Sequence, residues 1–289
     1  MSVSIVIPTL EAGEQIVSLL KAIEAQTRKP DEVWVVDSSS SDGTAERARR
    51  CGAKVLRIAR EQFDHGGTRD LAFQHTTGDL VLFLTQDVLL DNRQYIENLL
   101  RPFDDDRVAA VSGRQVARLD ARMYVKMVQE YRYPAQSRTW GAEERQTLGI
   151  QAFHLSDVCS AYRRTAYERV GGFKHGIKTN EDMLIAAALL KAGYRLAYCA
   201  EATVIHSHNL TFLQEYRRNW LVGRFLQQHK DELGLTRELG EGMRMMRGIV
   251  VQLMQEGHPL EATAFLADCA ARFLGNRAGR RAQERKETR

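Results

Sequence analysis

Little in this chain invites covalent cross-linking or metal clustering through sulfur. Among 289 residues there are four cysteines, Cys51, Cys159, Cys199 and Cys269, far apart in sequence. They lack the paired spacing of a zinc site, so reduced, idle thiols are expected ahead of disulfides. No apolar run approaches the ~20 residues that cross a bilayer as a helix. No basic, then apolar, then small-residue segment opens the chain: Met1 runs straight into the strand-like SVSIVIP, so a signal peptide is not expected. The chain reads as cytoplasmic. Also missing is a Gly-X-Gly-X-X-Gly fingerprint after the first strand, which argues against a hydride-transferring dinucleotide enzyme. The loop that is there, PTLEAGE, lacks the glycine-rich basic character wanted by a nucleotidyltransferase. No internal repeat or low-complexity linker is visible.

Hydrophobic content of 44% and charged content of 27% are those of a soluble globular protein with a sizeable core. The net charge of +4 is carried after Leu274, where Arg277, Arg280, Arg281, Arg285, Lys286 and Arg289 outnumber Glu284 and Glu287. Two readings of this tail stand. It is a solvated, frayed terminus, or it contacts anionic headgroups at about 1 kcal/mol per basic residue. Nucleic acid ranks below both, because no aromatic-basic stripe accompanies the tail.

The first half alternates strand and helix. Strands are predicted at 4–8, 32–37, 54–58, 79–85 and 108–112, with helices at 15–25, 44–51 and 68–75 between them. Unbroken apolar runs such as DLVLFLT suit strands buried on both faces. The fold class is therefore α/β, a mostly parallel central sheet covered by helices, with a helical C-terminal region. The stretch 115–151 has no clear period and is expected to be an acceptor-facing insertion or lid. A strand-like 159–163, a helix at 180–192 and a strand at 196–206 follow. Beyond Thr211 the chain is mostly helical. One apolar stripe is predicted from Met243, Met246, Ile249, Val250, Leu253 and Met254, and a second from Leu260, Ala264, Phe265 and Phe273, for core or dimer packing. The expected domains are 1–220, split near 113 into a nucleotide-sugar half and an acceptor half, and a helical extension over 221–289.

Ligands of open α/β sheets bind at the carboxyl ends of the strands, so the residues there carry the reading. Pro8 and Thr9 end the first strand. Asp37 ends the second and opens SSSSDGT, whose Ser38 and neighbours offer hydroxyls and backbone donors suited to a ribose or base. The same loop also reads as a turn and helix cap, through Asp42 and Thr44. After the fourth strand come Gln86 and Asp87. A divalent Mg²⁺ or Mn²⁺ on a diphosphate needs one or two protein carboxylates, and Asp87 fits that role. Gln86 could position a sugar hydroxyl or a metal-bound water. Glu181 and Asp182 open a helix, where acids are favoured by its positive end; Asn180 is the candidate cap. His206 and His208 share a face if their strand continues, as metal ligands or as isolated surface histidines.

In this order and spacing, SIVIPTL, VVDSSSSDGT, TRDLA, LTQD, GGF with NEDMLIAAALLKAG, and VIHSH resemble the nucleotide-diphospho-sugar transferase (GT-A) fold. Within it they are similar to the inverting glycosyltransferase family 2, over about 3–220. The segment FDHGGTRDLA, with His65, Gly66, Gly67 and Arg69, looks most like the rhamnosyltransferase branch, whose products belong to cell-envelope polysaccharides such as O-antigen. The resemblance implies that Pro8, Thr9, Asp37 and Asp42 line the nucleoside pocket, with Arg69 near the base or phosphates. It implies Asp87 as metal ligand, His206 (then His208) as a further one, and Asp182 as catalytic base, with Glu181 the competitor. The usual metal motif is Asp-X-Asp; here Gln86-Asp87 supplies one carboxylate. EYRRNW only loosely resembles the product-site motif of processive relatives, so a non-processive enzyme is expected.

The implied reaction is inverting transfer of a sugar, rhamnose from dTDP-rhamnose or a sugar from a UDP donor, to a hydroxyl of a glycan or lipid-linked saccharide. Asp182 would take the proton and the metal would stabilise the diphosphate. A catalytically silent sugar-nucleotide sensor is the rival from outside enzymology. Membrane contact at the inner face and a homo-oligomer are the further partners considered.

Overall fold

A computed structural model describes residues 1–234 and 240–287. In chain order the strands are β1 (Val3–Thr9), β2 (Glu32–Asp37), β3 (Lys54–Arg57), β4 (Leu80–Leu84), β5 (Val108–Val116), β6 (Arg138–Trp140), β7 (Cys159–Arg163) and β8 (Arg195–Ile205). The α-helices are α1 (Glu14–Glu24), α2 (Thr44–Arg50), α3 (His65–His75), α4 (Tyr95–Leu100), α5 (Met123–Arg132) and α6 (Arg145–Leu148), then α7 (Arg164–Arg169), α8 (Glu181–Lys191), α9 (Phe212–Gln228), α10 (Gly240–Gln255) and α11 (Pro259–Glu287). The chain divides into two compact units, one of residues 1–115, 134–177 and 181–206, the other of 116–133, 178–180 and 207–289.

The first unit is built on an eight-stranded sheet ordered β3-β2-β1-β4-β7-β5-β8-β6. The first four strands run parallel, β7 is antiparallel to β4, and β5, antiparallel to β7, points with the first four. The sheet is mostly parallel, as its continuous apolar strands predict: all five residues of β4 are buried. Ile16, Leu19, Leu20 and Ile23 recur at helical spacing on α1 and close one face over Val3, Ile5 and Ile7. The stretch 115–151, which shows no period, holds α5, the short β6 and brief helical turns. Its Trp140 is nonetheless almost fully buried, with Nε1 donating to Ala152 O at 2.8 Å.

The second unit packs α5, α9, α10 and α11. Tyr124 and Val128 of α5, Ile249 and Leu253 of α10, and Ala262 and Phe265 of α11 form its core. The predicted stripes divide: Ile249 and Leu253 are buried, but Met243 and Met254 are 59% and 55% exposed, and Leu260 and Phe273 are exposed too. Instead α11 buries Ala262, Phe265, Asp268, Ala271, Gly275, Gly279 and Gln283. Small residues serve because the helices nearly touch. A methyl group at Gly223, Gly275 or Gly279 would strike the facing backbone at Asn276, Tyr216 and Trp220. The terminus is therefore helical to Glu287 rather than frayed, and Arg289 lies outside the described residues. A domain boundary at 220 would cut the continuous helix α9; the second compact unit instead takes in all of α9 and also α5. Among the described residues no helix is long and apolar enough to cross a membrane.

Candidate active site

The site is assembled in the first unit from the tips of β1, β2 and β4, the start of β7, the end of β8 and the first turn of α8. At the β2 tip Asp37 is fully buried. Its Oδ2 accepts from Ser40 N at 3.1 Å and lies 3.7 Å from Arg57 Nε. Its Oδ1 has no hydrogen-bond partner, nor does the buried Ser38 Oγ beside it, nor Thr85 Oγ1 after β4. Unpaired buried acceptors are costly, and a row of them at strand tips marks where a polar ligand would complete the bonding. Ser39 holds φ at 55°, a left-handed conformation uncommon outside glycine, at the turn of this loop.

Asp42 is exposed, and the N-cap of α2 is Gly43 rather than Asp42; Asp42 Oδ1 closes a turn just ahead of the helix, accepting from Thr44 N at 3.0 Å and from the Thr44 hydroxyl at 2.5 Å. Those bonds, the hydroxyl's first, hold its carboxyl below the usual range. Thr9 is buried, with its hydroxyl donating to Val36 O at 3.3 Å. Pro8 and Gln86 work as a pair. Leu80 N bonds Ser2 O and Asp31 N bonds Val3 O, so even-numbered residues of β1 face β4. Pro8 has no N–H to offer on that side, and the β1–β4 register ends at Val6 and Phe83. Gln86 resumes it: its Oε1 accepts from Leu10 N at 2.7 Å and its Nε2 donates to Leu10 O at 3.0 Å. The Gln86 amide is thus directed at main chain rather than outward.

Asp87 follows and is partly exposed; its Oδ2 stands 3.5 Å from His206 Nε2. An isolated bridge between Leu89 and Ile205 ties these two chain ends together. His206 Nδ1 lies 3.0 Å from Gln115 Oε1, and Gln115 Nε2 donates to Ser156 Oγ at 2.8 Å. A ring whose Nδ1 is engaged this way presents Nε2 toward Asp87, the arrangement by which outer residues orient a metal-binding histidine. The donor set, one carboxylate oxygen and one imidazole nitrogen, suits a Mg²⁺ or Mn²⁺ ion that takes its other ligands from phosphate and water. His208, two residues on, is exposed and belongs to the second unit.

Behind this opening lies a buried charge cluster. Asp64 caps α3, its Oδ1 accepting from Gly67 N at 2.7 Å. Gly66 lets α3 approach the Phe173–Lys174 backbone, where a Cβ would collide with Lys174 O. These bonds account for the glycines of FDHGGTRDLA, while His65 itself is exposed, its ring edge-on to Phe63. They aim Arg69 inward. The guanidinium is 5% exposed, with Nη1 donating to Glu181 Oε1 at 3.1 Å and His65 O at 3.0 Å, and Nη2 to Asp157 O at 3.5 Å. Arg69 thus points to α8 and β7, not to the open strand tips where a base or phosphates were expected to meet it. Its Nε and Asp157 Oδ2 face each other at 4.0 Å, both without a hydrogen bond.

Asp157 was not singled out in the sequence. The rule of reading strand ends passes over it, because β7 runs antiparallel and begins where β4 finishes, Leu84 opposite Cys159. Its Oδ1 accepts from Ser160 Oγ and Tyr162 OH, each at 2.7 Å. Burial pushes its carboxyl up against the pull of Arg69. Glu181 is raised by burial likewise. Asp182, partly buried with Oδ1 accepting from Met183 N at 2.9 Å, is held well above the usual carboxylate range by burial, then by Glu181 and Asp157. Asn180, the candidate cap, enters α8 with φ at 60°. Asn tolerates that left-handed turn, which is not the extended geometry of an ordinary cap.

A carboxyl held well above its usual range, a carboxylate–imidazole pair and unpaired buried polar atoms thus gather at the tips of a mostly parallel sheet, where open α/β folds take polar ligands. The sequence profile of glycosyl transferase family 2 matches residues 4–171, and the chain belongs to that family. It is 35% identical over 286 residues, 97% of its length and 90% of theirs, to the O-antigen chain rhamnosyltransferase RfbN of Salmonella typhimurium. It is 34% identical to WbaN of Salmonella anatum, bearing the same description, over 96% of this chain and 89% of that one. Among solved structures, the mannosyltransferase PcManGT from Pyrobaculum calidifontis, in complex with GDP-Man and Mn²⁺, shares 21% identity. It covers 93% of this chain and 75% of its own, with a TM-score of 0.59. Glucosyl-3-phosphoglycerate synthase from Mycobacterium tuberculosis shares 19% identity with a TM-score of 0.55, over 82% of this chain and 81% of that one. The protein is a family 2 glycosyltransferase of GT-A fold.

Proposed function

We propose that this glycosyltransferase moves rhamnose from dTDP-rhamnose to a hydroxyl of a glycan or lipid-linked saccharide, with inversion. The observation that carries the reading is the convergence of Asp87 and His206 beside the unpaired acceptors of Asp37, Ser38 and Thr85. The near-full-length identity to rhamnosyltransferases supports the sugar. Asp37 Oδ1 would accept from the N3–H of the base, and the Asp42 loop and Pro8–Thr9 would line the nucleoside. Asp87 and His206, with His208 as a further candidate, would hold Mg²⁺ or Mn²⁺, which supplies charge neutralisation to the departing diphosphate. Asp182 accepts the proton of the acceptor hydroxyl, a task favoured by its raised basicity. No protein nucleophile is needed, because one displacement inverts the anomeric carbon.

A screen of donor hydrolysis over nucleotide sugars with Mg²⁺ and Mn²⁺ tests this without knowledge of the acceptor. Turnover of dTDP-rhamnose that disappears on chelation is expected. Tight binding of UDP with none of dTDP in calorimetry moves the donor to a UDP-sugar, and full activity after chelation removes the metal.

We also infer contact with an anionic bilayer. The second unit exposes Met243, Val251 and Met254 along α10, with Arg244 and Arg247 among them, and Leu266, Phe273 and Leu274 along α11, followed by exposed Arg277, Arg281, Arg285 and Lys286. Apolar side chains bordered by arginines suit an interfacial helix on acidic lipid. Flotation with phosphatidylglycerol vesicles at low salt should carry the protein, and Met254→Ser with Phe273→Ser should release it. Equal flotation with neutral vesicles, or none with either, rejects the contact.

A further inference from the structure

Arg69 is the cation buried beside the proposed base, and its guanidinium bonds to protein groups on three segments. Around Asp182 stand Glu181 on its own helix, Asp157 just ahead of β7, Tyr162 within β7, and Arg69 from α3. Among these described groups one guanidinium faces three carboxylates. Its bonds are directional: Glu181 Oε1 at 3.1 Å on one nitrogen, and the Asp157 carbonyl at 3.5 Å on another. Glu181, which it bonds, and Asp157, whose carboxylate stands 4.0 Å from its Nε, are 6% and 3% exposed, so solvent cannot substitute for it. Glu181 and Asp182 are adjacent on a helix and therefore point about 100° apart. Fixing one of them fixes the azimuth of the other.

We propose that Arg69 is a positioning residue: by clamping Glu181 against Asp157 it sets the rotation of the first turn of α8 and turns Asp182, not Glu181, toward the acceptor. This rests on Asp182 being the base, and it removes Arg69 from the donor contacts. The clamp does two separable jobs. Its geometry places Asp182, and its charge offsets that of Glu181 beside the base. Arg69 favours the ionised form of Asp182 and Glu181 disfavours it, which gives substitutions at the two positions opposite electrostatic signs.

The test uses the full chain and whichever nucleotide sugar the wild type hydrolyses, with kcat and kcat/KM followed from pH 5 to 9. Arg69→Gln should lower kcat on the order of 10²-fold, the scale of a misplaced group, and move the acid limb of the profile to higher pH. Glu181→Gln should move that limb to lower pH. Arg69→Lys restores the charge without the two-pronged geometry, so the limb should return while kcat stays depressed. Nucleotide affinity with Mg²⁺, read by calorimetry, should change less than threefold in every variant. An unmoved acid limb in both Gln variants overturns the proposal, as does loss of nucleotide binding in Arg69→Gln, which would make Arg69 a donor contact. Should Arg69→Gln fail to fold, Glu181→Gln and the double variant, which removes both charges together, carry the same measurement. Full activity of Asp182→Asn would instead sink the assignment of the base and leave the clamp a matter of stability alone.

Discussion

Each unit of this protein sets an arginine between two buried carboxylates, and the two clusters are finished differently. In the second unit Arg272 Nε donates to Asp268 Oδ2 at 2.6 Å and Nη2 to Glu215 Oε1 at 2.9 Å, while Asn219 Nδ2 donates to Glu215 Oε2 at 3.0 Å. The guanidinium, for which burial alone would disfavour charge, is held above its ordinary range by both acids. In the first unit Arg69 Nε and Asp157 Oδ2 miss each other at 4.0 Å, and Asp182 adds a further acid. Composition is nearly the same in both places. What separates the helix-to-helix strut from the proposed catalytic neighbourhood is unmet bonding: the strut is neutralised where it stands, whereas the neighbourhood keeps a carboxylate whose raised basicity would serve a general base.

The contrast breaks most visibly at Asp182. Asp182→Asn should cost 10²–10⁴-fold in sugar transfer, the usual loss on removing a general base, with nucleotide binding retained in calorimetry. Glu181→Gln should be the milder of the two. Near wild-type transfer by Asp182→Asn alongside an inactive Glu181→Gln would exchange their roles.

Another buried carboxylate, outside both clusters, calibrates the scale of a fully met one. Glu32 opens β2, between β1 and β3, and accepts from Ser4 Oγ at 2.7 Å, Lys54 Nζ at 2.8 Å, Thr77 N at 2.7 Å and Trp34 Nε1 at 2.9 Å. Burial raises its carboxyl, but these donors outweigh burial and bring it down from 4.5 to about 2. A depressed folded value gives stability that is whole above the unfolded value and drains as pH falls toward the folded one. Glu32→Gln should therefore lose about 3 kcal/mol at pH 7, and denaturant melts should show that deficit shrinking between pH 4.5 and 2. A deficit constant with pH would mean that the pairing is not ionic.

Arg272→Met should have the smallest effect of the three, because its side chain is 32% exposed and water can reach the carboxylates left behind. A loss of about 2 kcal/mol, below the 3–5 of a fully buried pair, is expected in chemical denaturation, with kcat per folded molecule unchanged. A fall in kcat at constant stability would show that the second cluster is not merely a strut.

The parallel half of the sheet was legible because each strand is a short apolar run punctuated by turn residues; Glu32–Asp37 lies where it is predicted. The side chains that follow strands, Asp37, Asp87 and His206, were legible for the same reason. Arg69 was legible as part of a motif but not in its direction, since its partner lies 112 residues away and no local pattern encodes that pairing. Helix α11 defeated the apolar stripe because close helix contact selects for missing side chains, so Gly275 and Gly279 lie inside and Phe273 outside. Asp157 escaped because nothing in the spacing announces that β7 reverses direction.

Pro8 and Gln86 together amount to a splice in the backbone. Where proline interrupts the ladder between two central strands, a glutamine amide, which has the same donor and acceptor as a peptide group, is set in its place one step further on. The joint fastens the chain leaving β1 to the residue preceding Asp87, so the proposed nucleoside and metal ends of the site are tied by two hydrogen bonds. Glutamate at this position is nearly the same shape but cannot donate to Leu10 O, and would leave the joint half made. Gln86, the residue beside Asp87, is in this light a piece of carpentry that ties the end of β4 to the chain leaving β1.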